Sequence, residues 1–247
     1  MHTYTMAVAV NNTCLSGVTA MPAGALGVVV AIGALNEAES IAAVLEDLTT
    51  HGYDRVVVCD DGSRDNTSEI ARSAGAIVPR HLLNRGAGAA SRTAVEIALL
   101  LGADIVVTMD ADGQHLAKDI RALVGELVSQ NVDLVFGNRM HIPARVPRVR
   151  RVYNRFANLL THALGGIRLS DTQSGFRAYS ADAARQIKLR SSGYEYCSEI
   201  AREVRRQKLS YSQVPVEAVY HQFYGSRGQN LYNGFKTAWR LFMRLIN

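Results

Sequence analysis

From residue 28 onward, short apolar, β-branched runs alternate with segments of helical periodicity, and this alternation constrains the fold more than any other feature of the chain. Val28–Ile32, Val56–Cys59, Ile105–Met109 and Val132–Phe136 are such runs, and Ile77–Val78 is a shorter candidate. Between them come Ile41, Val44, Leu45 and Leu48, then Ala94, Ile97, Ala98 and Leu101, then Ile120, Leu123, Val124 and Leu127. Each set recurs at the spacing of one helical face. Strands that alternate with helices predict an α/β fold, with a mostly parallel sheet covered by helices on both faces. Asn36, three residues before Glu39, reads as a capping-box start for the first helix, and Asp65–Thr67 as the start of the next. Later, Phe176–Tyr179 reads as a strand, Ser198–Gln207 as a helix, and the alternation of Val214, Val216 and Ala218 around Pro215 as an edge strand.

With 247 residues and 48% apolar content, the chain is long enough for one sizeable core and short for two domains. Residues 1–26 are small, weakly apolar and free of Lys and Arg, and read as a weakly ordered extension rather than a secretory signal. Residues 27–230 read as the main domain and 231–247 as an amphipathic C-terminal helix. In that helix Phe235, Ala238, Trp239, Phe242, Leu245 and Ile246 oppose Lys236, Arg240 and Arg244. No apolar run reaches the roughly 18 residues of a membrane-spanning helix. Cys14, Cys59 and Cys197 are odd in number and lack metal spacing, so a reduced, cytoplasmic compartment is expected. The net charge of +5 is compatible with anionic ligands, and no base-reading motif points to nucleic acid.

In sheets of this type ligands bind beyond the carboxyl ends of the strands. There stand Asn36-Glu37, Asp60-Asp61-Gly62-Ser63, Asp110-Ala111-Asp112-Gly113-Gln114 and Gly137-Asn138-Arg139. Asp110 and Asp112 are the most informative pair. Carboxylates that close cost free energy unless a cation neutralises them, and their oxygens suit Mg²⁺ or Mn²⁺, with Gln114 able to add a carbonyl. A lone D-x-D is more often a solvated turn, but its place beside Asp60-Asp61 favours the metal. Asp60-Asp61-Gly62-Ser63 reads as acceptors for a base and a ribose, or as a turn that caps a helix. Gly86-Ala87-Gly88 opens a helix either against a phosphate or merely for packing, and Ser91 breaks the full dinucleotide motif. Arg148, Arg151 and Arg155 would share one helical face, either a solvated one or one turned to phospholipid head groups.

At these residues the chain resembles the family 2 inverting glycosyltransferases of GT-A fold, and within them the polyprenyl-phosphate sugar transferases of the dolichyl-phosphate mannose synthase type. Besides the four turns, the resemblance rests on Ser174-Gly175-Phe176-Arg177 and on Val214-Pro215-Val216 before Tyr224-Gly225-Ser226-Arg227, and it covers residues 28 to about 235. It implies transfer of a sugar, with inversion, from a nucleotide-diphosphate sugar to a polyprenyl phosphate. Glu37, Asp61, Asp110, Ala111, Asp112 and the chain near Ala34, Leu35 and Cys59 would hold the nucleotide sugar. Asp110, Asp112 and Gln114 would hold Mg²⁺ or Mn²⁺. Asp112, Arg139, Asp171, Arg177 and Arg227 would form the catalytic set, with Arg139 on a phosphate, Arg177 and Asp171 on the acceptor side, and Arg227 closing on the diphosphate. Where the family often carries Pro and Tyr before Asn-Glu, this chain has Gly33 and Leu35. A phosphate acceptor is anionic at neutral pH, its second pKa being about 6, so it needs no general base. A hydroxyl acceptor would need one, and Asp171 is then the candidate.

Three other readings compete. The first keeps the donor chemistry and takes a soluble sugar or small metabolite as acceptor. The second is a dehydrogenase or methyltransferase of Rossmann type, against which the broken glycine motif counts. The third is a non-catalytic binding module, against which the complete set of carboxylates counts. A polyprenyl acceptor with the basic segments would place the protein peripherally on the cytoplasmic membrane face.

Overall fold

The computed structural model describes residues 26–141, residue 158 and residues 167–219. The expected extension at the N-terminus, the basic face of Arg148, Arg151 and Arg155, the late loop with Arg227 and the C-terminal amphipathic segment lie outside the described residues, Leu26 apart.

Six strands form one sheet: β1 (Val28–Ala34), β2 (Val56–Asp60), β3 (Ile105–Asp110), β4 (Leu134–Asn138), β5 (Arg177–Ser180) and β6 (Tyr211–Pro215), in the order β2-β1-β3-β5-β4-β6. β1 pairs in parallel with β2 and β3, and β4 with β6, whereas β5 runs antiparallel between β3 and β4. The helices are α1 (Ile41–Thr50), α2 (Thr67–Ser73), α3 (Ala87–Leu100), α4 (Ile120–Ser129), α5 (Ala181–Gln186) and α6 (Tyr196–Arg206).

Period-two side-chain alternation divides the core between the two faces. Val30, Ile32, Val58, Val107 and Met109 point to one side, where Ile41, Val44, Leu45 and Leu48 of α1, Ala71 of α2 and Ile120, Leu123 and Leu127 of α4 cover them. Val29, Ala31, Val57, Val106 and Phe136 point to the other, against Ala90, Ala94 and Ala98 of α3, Ala183 and Ala184 of α5, and Ile200, Ala201 and Val204 of α6. Both faces are thus buried, which is why the strands read as continuous apolar runs.

Several elements differ from the sequence reading. Asn36 does not start α1. It takes a left-handed turn with φ +54°, and Ser40 stands at the N-cap. Asn is among the few side chains that tolerate this conformation. The helix after Asp65 begins at Thr67, with Asp65 accepting from the Thr67 N–H at 3.1 Å. Ile77–Val78 forms no full strand, only an isolated parallel bridge from Ile77 to Val57, followed by one from Arg80 to Asp60. The edge strand ends at Pro215, whose missing N–H suits that position.

Candidate active site

The carboxyl ends of β1, β2, β3 and β4 share one edge because these strands are mutually parallel. β5 enters the sheet from that same edge. Arg177 is registered with Thr108, so Gly175, two residues earlier, meets Asp110, two residues later. A Cβ at Gly175 would stand 2.8 Å from Cγ and 2.9 Å from Oδ2 of Asp110, and closer still to Oδ1. The glycine of Ser174-Gly175-Phe176 is there because a carboxylate occupies the space a side chain would need. The Thr108 hydroxyl donates to the Gly175 carbonyl at 2.7 Å and holds the two strands together at this point.

Asp110 ends β3 half-buried, and Oδ2 accepts from His115 Nε2 at 3.0 Å. The His115 ring is fully enclosed, 4.9 Å from the Phe176 ring, and its Nδ1 has no partner among the described residues. Burial would push the Asp110 carboxyl up, but the hydrogen bond and charge of His115, with Arg139 and Arg177 behind it, hold it below the usual carboxylate range. Asp112 is pushed the other way, by burial and by the negative charge of Asp110. Its oxygens accept from Gln114, at 3.0 Å from the backbone N–H and 2.6 Å from the side-chain amide. A segment after β6 straps this turn: the Val219 N–H donates to the Gln114 carbonyl at 3.0 Å, and the Glu217 N–H to Asp119 at 2.8 Å. The late Val214-Pro215-Val216 motif therefore leads directly onto the acidic turn.

The turns after β1 and β2 are laced together. Asn36 N–H donates to Ser63 Oγ at 2.9 Å, Arg64 N–H to Asn36 Oδ1 at 2.8 Å, and Glu37 N–H to Thr67 Oγ1 at 2.8 Å. The Glu37 carboxylate accepts from Ser40 Oγ at 2.8 Å. The two aspartates at the end of β2 face inward. Asp60 is fully buried, accepting from the Ser63 N–H, from Ser68 Oγ and from Arg80 Nε. Asp61, 2% exposed, donates its N–H to the Ala34 carbonyl at 2.8 Å. Its carboxylate accepts from His81 Nδ1 at 2.7 Å and from the N–H groups of Arg85 and Gly86 at 2.9 and 2.7 Å. Ala34 and Asp61 are thus brought together, while Leu35 stands on the rim, 36% exposed.

Cys59, His81 and Asp61 form a line that resembles a thiol triad, with Cys59 Sγ 3.7 Å from His81 Nε2. Burial, then the charges of Asp61 and Asp60, push the thiol up to about 12, so it stays neutral and is no nucleophile. The Gly86-Ala87-Gly88 turn is filled by protein. The Ser192 carbonyl accepts from the Gly88 N–H at 2.8 Å, and a Cβ at Gly88 would stand 2.5 Å from the Ser191 carbonyl. The packing reading of these glycines accounts for what they do.

Arg139 and Asp171 form a buried bidentate pair, Nε to Oδ2 at 2.7 Å and an Nη2 to Oδ1 at 3.1 Å. Burial raises the Asp171 carboxyl, but the guanidinium beside it holds it below the usual range. Arg177 does not reach the cleft surface. It is fully buried, its guanidinium carbon 5.8 Å from the Phe136 ring centre and 5.7 Å from that of Tyr196, with Nε and Nη1 unpaired among the described residues. Two residues at this edge escaped the sequence reading. His115 carried one signal, its place directly after the acidic turn. Tyr194 carried none. It comes from the segment before α6, is 39% exposed, and feels burial, then the negative charge of Asp110, with Glu37 and Asp112 adding to it.

Among the described residues no cluster of three or more His, Cys, Asp or Glu side chains forms a metal cage. Two carboxylates and an amide on one turn fit instead the way Mg²⁺ binds beside substrate phosphates, through one or two carboxylates and the phosphate oxygens. No helix among the described residues is long and apolar enough to cross a membrane.

This sheet, with its acidic edge, matches the family described as Glycosyl transferase family 2 over residues 29–188. An uncharacterised protein of Methanocaldococcus jannaschii is 40% identical over 88% of this chain and 91% of its own length. The UDP-N-acetylglucosamine–dolichyl-phosphate N-acetylglucosaminyltransferase of Methanococcus voltae is 35% identical over 86% of this chain and 93% of its own. Among solved structures, glucosyl-3-phosphoglycerate synthase of Mycobacterium tuberculosis, crystallised with Mn²⁺, UDP and glucosyl-3-phosphoglycerate, superposes with a TM-score of 0.69 at 20% identity, covering 90% of this chain and 79% of that one. The protein is a glycosyltransferase with a GT-A-like fold. It belongs to glycosyl transferase family 2.

Proposed function

We propose that the protein transfers a sugar, with inversion, from a nucleotide-diphosphate sugar to a polyprenyl phosphate, with Mg²⁺ or Mn²⁺ held at Asp110, Asp112 and Gln114. The observation that carries the donor half is the Asp110–Asp112 turn, where two carboxylates share one half-buried site and the second is pushed up by burial and by the charge of the first. The acceptor half is supported by the Methanococcus voltae relative, whose name gives dolichyl phosphate as its acceptor and which matches over 93% of its length. A divalent ion there would neutralise charge on the leaving diphosphate.

The rest falls to this chain's own residues. The edge formed by Ala34, Leu35, Glu37, Cys59 and Asp61 takes the nucleoside, with Asp61 setting the position of Arg85 and Gly86 at the start of α3. Ala111 lines the turn. Arg139, held flat by Asp171, presents positive charge toward the phosphates. Arg177 adds a buried charge on the acceptor side that helps keep Asp110 ionised. Arg227, outside the described residues, is assigned to the diphosphate from its motif. An acceptor phosphate oxygen attacks the anomeric carbon, and the bond to the diphosphate breaks with its electron pair on the leaving group. No proton need be removed, and Asp171, held low by Arg139, is suited to positioning rather than to general-base work.

His115 acts through Asp110 as a positioning residue. His115→Phe keeps a ring against Phe176 and removes the bond to Asp110. Mn²⁺ affinity in the presence of UDP, read by electron paramagnetic resonance, is expected to fall about 10- to 100-fold. An unchanged affinity would mean that Asp110 needs no such support. The function itself is tested by a screen of UDP-, GDP- and dTDP-sugars against a short prenyl phosphate and against water-soluble sugars. Turnover confined to the prenyl phosphate is expected. Turnover confined to soluble acceptors would transfer the donor site to the alternative reading.

A further inference from the structure

We propose that the loop 81–85 is a lipid-contact element that seats the donor edge of the protein on an anionic membrane surface. Leu82 is 99% exposed and Leu83 78%. Leucine is among the residues most often buried, and an adjacent pair left in solvent calls for a reason. Looseness of the loop is not that reason, because its ends are pinned. The His81 N–H donates to the Asp60 carbonyl at 2.8 Å. The His81 ring is fixed between Asp61 Oδ1 at 2.7 Å and Thr93 Oγ1 at 3.0 Å. The Arg85 and Gly86 N–H groups end on the same Asp61 carboxylate. The loop backbone also lies on the turn after β2, where a Cβ at Gly62 would stand 3.0 Å from both Leu83 C and Asn84 N. Buried, fully bonded Asp61 thus holds two leucines outward.

The charges beside the leucines identify what they meet. Arg85 follows them exposed and Arg64 is exposed on the neighbouring turn, while Arg80, which precedes them with its side chain 44% exposed, is paired with buried Asp60. Of the acids of this region, Asp60 is buried against Arg80, Asp61 is buried against His81, and Asp65 is turned back onto the Ala38 and Thr67 N–H groups. An apolar tip between cationic shoulders is the pattern of a segment that inserts shallowly among acidic head groups. The loop runs from the β2 edge into the start of α3, on the strand-end edge that also bears Asp110 and Asp112. Contact there would bring that edge to the depth of a lipid-borne phosphate. The purpose of the contact rests on the polyprenyl-phosphate reading, but its test does not.

The full chain is sedimented with vesicles of mixed phosphatidylcholine and phosphatidylglycerol, with neither donor nor acceptor present, and compared with a Leu82→Ser, Leu83→Ser double variant. The parent is expected to partition onto the vesicles, and the variant at least about tenfold less. UDP binding and the thermal midpoint should stay the same, since neither side chain is packed. Equal partitioning of parent and variant would overturn the proposal, and so would a parent that stays in the supernatant. An oligomer of the parent that the variant dissolves, without any change in vesicle binding, would assign the leucines to self-association instead. Because the assay contains no substrate, a failure of the acceptor assignment would appear only in the turnover screen.

Discussion

Asp112→Ala is expected to lower sugar transfer by about three orders of magnitude while leaving the protein at least as stable as the parent. The loss follows from the proposed role, since stabilising charge on a leaving diphosphate is worth several kcal/mol, and about 1.4 kcal/mol corresponds to tenfold in rate. The stability follows from the electrostatics of the turn. Burial and Asp110 raise the Asp112 carboxyl in the folded state, so its ionised form opposes folding above the unfolded-state pKa of about 3.9. Removing the group removes that penalty at neutral pH. Turnover assays beside thermal unfolding at pH 7 check both halves. Near-parental activity would remove Asp112 from the chemistry, and a large drop in the midpoint would make the turn a structural one.

Asp171→Asn is expected to cost about 3 kcal/mol of stability, because it removes the bidentate carboxylate from a buried ion pair with Arg139. The sign of the pH dependence is fixed by the folded-state shift. Asp171 is held below its ordinary value by Arg139, so its contribution is present above the unfolded pKa of about 3.9 and is lost as pH falls through the lower folded value. Urea denaturation should therefore show the gap between parent and variant wide at neutral pH and closing in strong acid. A gap below about 1 kcal/mol at neutral pH would place the pair among ordinary surface bridges. Since Arg139 also lies within electrostatic reach of Asp110 and Asp112, the same variant should lose activity without losing Mn²⁺ binding.

The layered fold and its acidic edge were legible because each depends on local pattern. Runs such as Val56–Cys59 are apolar on both faces and end in acid, and α1 shows its buried stripe at Ile41, Val44, Leu45 and Leu48. The reversal of β5 was not legible, because Arg177–Ser180 is buried like its neighbours and nothing in four residues encodes direction. What fills a carboxylate was not legible either. Asp61 reads as a free acceptor, yet its partners come from residues 81–86, which only the fold brings near. The inward turn of Arg177 and the approach of Tyr194 to the acidic edge are likewise long-range facts. His115 is the intermediate case. Its sequence position is suggestive, but its enclosure behind Asp110 depends on Phe176 from another strand.

The direct measurement is calorimetry of the full chain with the nucleoside diphosphate of the donor that the screen turns over, with Mn²⁺ and then with excess chelator, for the parent and for Asp112→Asn. A cation clamped between the acidic turn and the diphosphate predicts that this nucleotide binds the parent at least about tenfold more weakly once Mn²⁺ is removed, and that the variant binds it weakly in both conditions. Tight binding that is the same with and without the ion, in parent and variant alike, would contradict it.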